Sequence, residues 1–183
     1  MRHIALLRGI NVGGNTMIKM EELRAMFEAL RFGNVKSYIN SGNLAFDSVS
    51  SPQVSKGKPP EVILSNQIES AIQTTFGKAV PVMVREQRHI QTVLESNPFA
   101  GQFGSHKEMH VLFLKEEMPD DKVQQLVANQ TKDERFAVLG HEIFCHLKFG
   151  VADSLLGKGF IDKKLKIAYT ARNWRTVEKL ATL

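Results

Sequence analysis

Val35-Lys36-Ser37-Tyr38-Ile39-Asn40-Ser41-Gly42-Asn43-Leu44-Ala45-Phe46 is the stretch on which the fold turns. Val35–Ile39 and Leu44–Phe46 read as strands. Between them, Asn40-Ser41-Gly42-Asn43 collects residues that tolerate turn geometry. The stretch is therefore a β-hairpin. On its N-terminal side, Leu23, Met26, Phe27 and Leu30 recur at i, i+3, i+4 and i+7. That is a helix with one buried face. Glu21 and Glu22 suit its positively polarised first turn, and Gly33 stands where a left-handed closing residue is expected. Before the helix, Arg2–Leu7 reads as a short apolar strand. On the C-terminal side of the hairpin, Ser48–Pro60 is rich in Ser, Gly, Lys and Pro and reads as a mobile loop. Glu61–Phe76 follows as a helix on the stripe Leu64, Ile68, Ala71, Ile72 and Phe76, and Val80–Val84 as a strand. The order β-α-β-β-α-β is that of the split βαβ, or ferredoxin-like, unit. Helices on one face of a four-stranded antiparallel sheet is its simplest closure.

The second half begins with a helix near Glu86–Glu95 and a break at Asn97-Pro98. Met109–Leu114 is a strand, and Asp120–Ala128 is a helix entered at Pro119. Phe136–Leu139 and Ile143–Leu147 form a second hairpin across Gly140-His141-Glu142. Two helical segments, near Lys163–Ala168 and Arg172–Ala181, complete the pattern. The order echoes the first half without repeating its residues. The expected fold is α+β, with two ferredoxin-like halves over residues 1–85 and 86–183, antiparallel sheets, and helices packed on them.

With 43% hydrophobic and 23% charged residues, the composition is that of an ordinary globular protein. Cys145 is the single cysteine, which excludes an intramolecular disulfide and points to a reducing compartment. No apolar run approaches the ~20 residues that span a bilayer, and the N-terminus lacks the pattern of a signal peptide. A cytoplasmic, membrane-free protein is expected. The net charge is +5, and residues 148–183 carry eight basic and three acidic side chains, so the whole excess lies there. Such a segment attracts anions, nucleic acid or acidic partners, or is a solvated basic face.

Chemistry is carried by three stretches. Arg8-Gly9-Ile10-Asn11-Val12-Gly13-Gly14 follows a strand and precedes a helix, a place where backbone N–H groups cradle phosphate or carboxylate and Arg8 adds a bidentate contact. It is neither a Walker loop, lacking Lys-Ser/Thr after the glycines, nor a dinucleotide fingerprint. The plainer reading is a connection that needs left-handed backbone at Gly13 or Gly14. Asn40-Ser41-Gly42-Asn43 offers amide side chains to a ligand, or simply stabilises its own turn. In Arg172-Asn173-Trp174-Arg175-Thr176-Val177-Glu178-Lys179-Leu180, a helix from about Asn173 would bring Arg172, Arg175 and Lys179 near one another. Trp174 would stack on a ring or, with Val177 and Leu180, pack the core. The core reading is preferred for Trp174.

His141 with His146, and His106 with His110, form no strong ligand pattern with the lone cysteine, so no metal is expected. Cys145 lies in an alternating strand and reads as a buried, inert thiol. No general base is evident. His3, the only nearby candidate in sequence, sits within a strand.

Leu6–Gly14, Tyr38–Asn43 and Thr170–Leu180 together resemble the bacterial domain-of-unknown-function 1697 family, in order and over nearly the whole chain. The resemblance implies a cytosolic α+β protein of two ferredoxin-like halves and no assigned activity or cofactor. The family's motif positions correspond here to Arg8, Gly9, Asn11, Gly13, Gly14, Ser41, Gly42, Asn43, Arg172, Asn173, Thr176 and Lys179. Family members commonly carry a Lys- and Asn-bearing stretch after the paired glycines. Asn15-Thr16-Met17-Ile18-Lys19 has less positive charge, which weakens the grip of this loop on a highly charged anion.

Three functions follow from these readings. The leading one is binding of an anionic ligand, a nucleotide or nucleic acid, through Arg8, Asn11, Gly13, Gly14, Ser41, Asn43, Arg172, Asn173 and Lys179. The aromatic pattern of an RNA-recognition sheet is absent from the strands. The second is an enzyme acting on a small phosphorylated or carboxylated substrate clamped by Arg8 and Arg172. The third is a structural or interaction module in which the same motifs hold the two halves together.

Overall fold

A computed structural model describes residues 1–14, 16–48 and 57–183. Asn15 and residues 49–56, most of the expected Ser48–Pro60 loop, lie outside the described residues. The chain is α+β and forms two compact units. One comprises Met1–Gln91 with Lys179–Leu183, the other Thr92–Glu178.

In the first unit the order is β1 (Arg2–Leu7), α1 (Met20–Ala29), β2 (Gly33–Tyr38), β3 (Asn43–Asp47), α2 (Pro60–Phe76) and β4 (Val82–Glu86). The strands form one sheet in the order β2-β3-β1-β4, every neighbouring pair antiparallel. Ala5 and Leu7 of β1 join Leu44 and Phe46 of β3 and Val82 and Val84 of β4 in one core cluster. The spacing of two along a strand puts them on one face. Leu23 and Phe27 of α1 and Leu64, Ile68 and Ile72 of α2 complete the cluster. Gly77 closes α2 in left-handed conformation at φ +65°, its N–H donating to the Gln73 carbonyl. Gly33 does not close α1. Arg31 takes the left-handed position at φ +63°, and Gly33 already pairs with Asp47. The early stop lets Phe32 turn into the core, where its ring lies 4.4 Å from that of Phe46.

The second unit contains β5 (Met109–Leu114), α4 (Asp120–Ala128), β6 (Glu134–Leu139), β7 (Glu142–Leu147) and β8 (Tyr169–Asn173). Its sheet runs β6-β7-β5-β8, again antiparallel throughout. Leu112, Leu114, Ile143, Cys145, Leu147 and Phe136 share a cluster with Leu126 of α4. The unit boundary falls within α3 (Gln87–Glu95) and within α5 (Trp174–Leu180). Trp174, Val177 and Leu180 are buried, so Trp174 is a core residue.

Two helical expectations are corrected here. The segment near Lys163–Ala168 is a single π-helical turn, Ile161–Leu165, stopped by Lys166 at φ +53°. The helix expected over Arg172–Ala181 begins at Trp174, because Tyr169–Asn173 is strand β8 and pairs with β5, Arg172 lying opposite Val111. Sheet hydrogen bonding to β5 outweighs the helical spacing of the charges. Arg172 is therefore not on the helix that carries Arg175 and Lys179.

Candidate ligand site at the end of the first sheet

The first sheet ends, beyond Leu7, in two loops that touch. The Leu7 N–H donates to the Gly42 carbonyl at 2.8 Å, and the Arg8 N–H to the Pro81 carbonyl at 2.9 Å. Gly42 has φ +80°, and a Cβ there would lie 2.6 Å from the Leu7 Cβ. Only glycine fits the turn at this approach. Ile10 and Ile18 are buried in the core cluster and pin the first loop at both ends. Between them Val12, Gly13 and Gly14 are exposed.

Asn11 joins the two loops. Its Nδ2 donates to the Ile18 carbonyl and to the Asn40 carbonyl, both at 2.9 Å, and its Oδ1 accepts the Ile18 N–H at 2.8 Å. Its own N–H donates to the Thr16 carbonyl at 3.2 Å. Both amide hydrogens are thus committed. Asn43 is fully buried. Its Nδ2 donates to the Tyr38 carbonyl at 3.1 Å and to Ser41 Oγ at 3.0 Å. Backbone in the left-handed region is dense here: Gly9, Asn11, Gly13, Gly14 and Thr16 in the first loop, Ile39 and Gly42 in the second. For a β-branched residue such as Ile39 (φ +48°) this conformation is costly and is found mostly at turns and functional sites.

Beside the junction lies a cavity of about 650 Å³, lined by Asn11, Met17, Ile18, Lys19, Met20, Glu21, Glu22 and Asn40. That is the size range of small-molecule sites. Val12, Met17 and Ile39, all exposed, give the two loops apolar surface. Lys19 Nζ lies 3.7 Å from Glu22 Oε1, both side chains solvent-exposed. With one lysine and two glutamates, the lining carries no positive excess.

The nine residues expected to contact a ligand divide between the units. Arg8, Asn11, Gly13, Gly14, Ser41 and Asn43 come together in the two touching loops. Arg8 begins the first loop and is half-buried. Lys179 is exposed on the last turn of α5. Arg172 and Asn173 lie in β8 of the second unit. Arg172 is 7% exposed, and its guanidinium donates to Thr170 Oγ1 at 2.7 Å and the Ala171 carbonyl at 2.8 Å. Burial lowers its pKa to about 10, so it stays charged at neutral pH. Asn173 Oδ1 accepts the Thr176 N–H at 2.9 Å, which caps α5. Val12, Met17, Met20 and Ile39 were not singled out from the sequence. Apolar residues inside a Gly/Asn-rich loop were the available signal, with Ile10 and Ile18 inward and Val12 and Met17 outward.

Among the described residues, no group of three or more His, Cys, Asp or Glu is placed to hold a metal ion. No helix among them is long and apolar enough to cross a membrane.

The model of a family described as "protein of unknown function (DUF1697)" matches residues 1–144. The chain belongs to the DUF1697 family. Both touching loops fall inside the matched range, whereas Arg172, Asn173 and Lys179 fall outside it. Among solved structures, a conserved bacterial protein from Streptococcus pneumoniae is similar, at 26% identity and a TM-score of 0.75. The similarity covers 98% of this chain and 96% of that one. No curated protein matches the chain.

Proposed function

We propose that this DUF1697 protein binds a small ligand of nucleotide size, with an anionic group and an apolar or flat part, at the two touching loops of the first unit. The observation that supports this most is the Asn11–Asn40 junction beside a 650 Å³ cavity. A direct hydrogen bond from Asn11 Nδ2 to the Asn40 carbonyl joins the first loop to the turn that carries Ser41–Asn43. In this reading Arg8 and the Gly13-Gly14 backbone receive the anion, and Met17, Met20 and Ile39 receive the apolar part. Asn11 and Asn43 act through loop shape, since their amide hydrogens are already engaged. The glutamates in the lining favour a ligand of modest charge over a polyphosphate. Of the three remaining residues, Lys179 belongs to this reading only as exposed basic surface, while Arg172 and Asn173 act inside the second unit, in its sheet and at the cap of α5.

The finer fold also belongs here. Each sheet has the strand order second-third-first-fourth, counted along its own half. That order supports reading both halves as ferredoxin-like, with the division near residue 85, and the single free Cys145 supports a reducing, cytoplasmic setting.

The test is a thermal-shift screen of nucleotides, sugar phosphates, small carboxylates, RNA and DNA at two salt concentrations. A ligand at ~100 times its Kd adds roughly 2.7 kcal/mol of stability. A mononucleotide or comparable small anion is expected to stabilise the wild type, and Arg8→Ala to remove the shift while the apo melting temperature changes little. A flat screen would overturn the reading, as would a shift that Arg8→Ala leaves in place.

A further inference from the structure

Residues 97–108, between α3 and β5, form a run of turns and bends within the second unit. Arg135 of β6 ties this segment to the sheet. Its Nη2 donates to Gln102 Oε1 at 2.7 Å, and its guanidinium carbon lies 4.8 Å from the centre of the Phe99 ring. The same Nη2 donates to His146 Nδ1 at 3.0 Å. His146 stands opposite Arg135 in the β6–β7 pairing and is 6% exposed. Arginine N–H groups only donate, so Nδ1 is the acceptor and the ring proton sits on Nε2. That Nε2 is buried and has no hydrogen-bond partner among the described residues; Glu108 Oε2 is 3.9 Å away.

We propose that His146 is a pH-operated latch, which holds Arg135 against Gln102 and Phe99 while neutral and releases the 97–108 segment when protonated. Protonation places a hydrogen on Nδ1, and two cationic donors then face each other across a contact of 3.0 Å. Arg135 Nη2 must withdraw, and the hydrogen bond to Gln102 and the stack on Phe99 go with it. The other ring nitrogen draws in the opposite direction. Its N–H, without a partner in the neutral protein, becomes a charge-assisted donor to Glu108 once the 3.9 Å gap closes. Glu108 Oε2 also accepts the Gly104 N–H at 3.3 Å, so this movement acts on the segment too. Charges facing His146 are Arg135 on β6, Glu108 ahead of β5, and Lys148 beyond β7, whose Nζ lies 3.4 Å from Asp133 Oδ1. β5 itself presents the apolar Met109 opposite His146. Burial, and after it Arg135, lowers the pKa of His146 from 6.5, with Glu108 opposing them. The latched form is therefore complete above about pH 6.5 and is lost as the pH falls through the lowered native value.

This proposal rests on the second unit alone and not on the ligand reading of the first. The test combines amide hydrogen exchange with imidazole nitrogen NMR on the full chain, from about pH 7.5 down to about pH 5. At the upper end the His146 nitrogen shifts are expected to report the Nε2–H tautomer. As the pH falls, protection of the Phe99, Ala100 and Gln102 amides, corrected for the intrinsic exchange rate, is expected to drop by up to about tenfold per pH unit. That is the limit for an opening linked to one proton. Protection of the β5 amides, which reports unfolding of the whole unit, is expected to stay higher throughout. His146→Gln keeps an oxygen to accept the Arg135 N–H and has no charge to gain, so the drop in the segment should vanish. His106, on the segment itself, remains in that variant, and a drop that survives it overturns the proposal. Arg135→Met is the second variant, should His146→Gln not fold. In it the segment is expected to be poorly protected already near neutral pH, and His146 to titrate at higher pH without the neighbouring cation. An Nδ1–H tautomer in the wild type sinks the proposal. So does equal protection in the segment and in β5, which makes the opening global.

Discussion

Gly42 and Gly13 are both left-handed glycines of the two touching loops, yet they answer to different forces. At Gly42 a Cβ would meet the Leu7 Cβ at 2.6 Å, with Ile10 Cδ1 at 3.0 Å; at Gly13 it would meet nothing within 4 Å. Gly42→Ala must therefore move the start of the first loop as well as strain its own backbone. We expect a loss of about 3 kcal/mol or more in urea unfolding, combining overpacking with the left-handed cost. Gly13→Ala should lose only about 1 kcal/mol, the backbone term alone. Equal losses would show that the close approach to Leu7 relaxes at no cost. The sequence marks both glycines as turn residues but cannot rank them, because the ranking comes from a neighbour 35 positions away. The same holds for Asn11. Its residue type suggested a hand held out to a ligand, and its three side-chain bonds to Ile18 and Asn40 come from loop closure that no spacing rule encodes.

Strand β8 marks where element-level legibility ran out. The first six elements were readable because each carries its own periodicity: three- and four-residue recurrence in α1 and α2, and strand-turn-strand in the hairpin. Tyr169-Thr170-Ala171-Arg172-Asn173 has no such signature. It holds one large apolar residue, and two of its three polar positions, Thr170 and Arg172, are buried. The stretch is a strand because β5 offers it an edge, and the charges beyond it spell a helix. Asn173 is the hinge between the two states, last in β8 and capping α5 through the Thr176 N–H. Asn173→Ala should cost about 1 kcal/mol. Asn173→Asp should recover most of it, because a carboxylate keeps the acceptor and suits the positive end of the helix. Trp174, the only tryptophan, is the next residue and reports the change by fluorescence during denaturation. If alanine and aspartate behave alike, the Asn173 side chain does not cap the helix.

Across the whole molecule, buried histidines set the direction in which acid acts. His110 of β5 has its pKa lowered from 6.5 to about 4 by burial, and its Nδ1 is buried without a hydrogen-bond partner among the described residues. Burial likewise lowers His146 of β7, where the Arg135 guanidinium adds to the effect, and His3 of β1, whose Nδ1 lies 3.1 Å from the Met1 carbonyl. All three are neutral in the native protein near neutral pH. The unfolded chain binds a proton at each near pH 6.5, and the native protein does so only at lower pH. Stability from these groups is thus complete above about pH 6.5. It falls as the pH drops toward about 4, where the native His110 finally titrates, and this group's contribution changes no further below that. For His110 the loss over this window is roughly 2 kcal/mol, and on the Trp174 signal it should appear as an unfolding midpoint in urea that drops between pH 7 and pH 4.5. Substituting His110→Phe removes the titrating group and keeps a ring in the site. The variant should flatten the pH dependence of the second unit while leaving its stability at pH 7 within about 1–2 kcal/mol of the wild type. A variant that keeps the full pH dependence would assign the acid sensitivity to His146, whose ring Nε2 lies 3.9 Å from Glu108. His146→Gln would then be the change that flattens it.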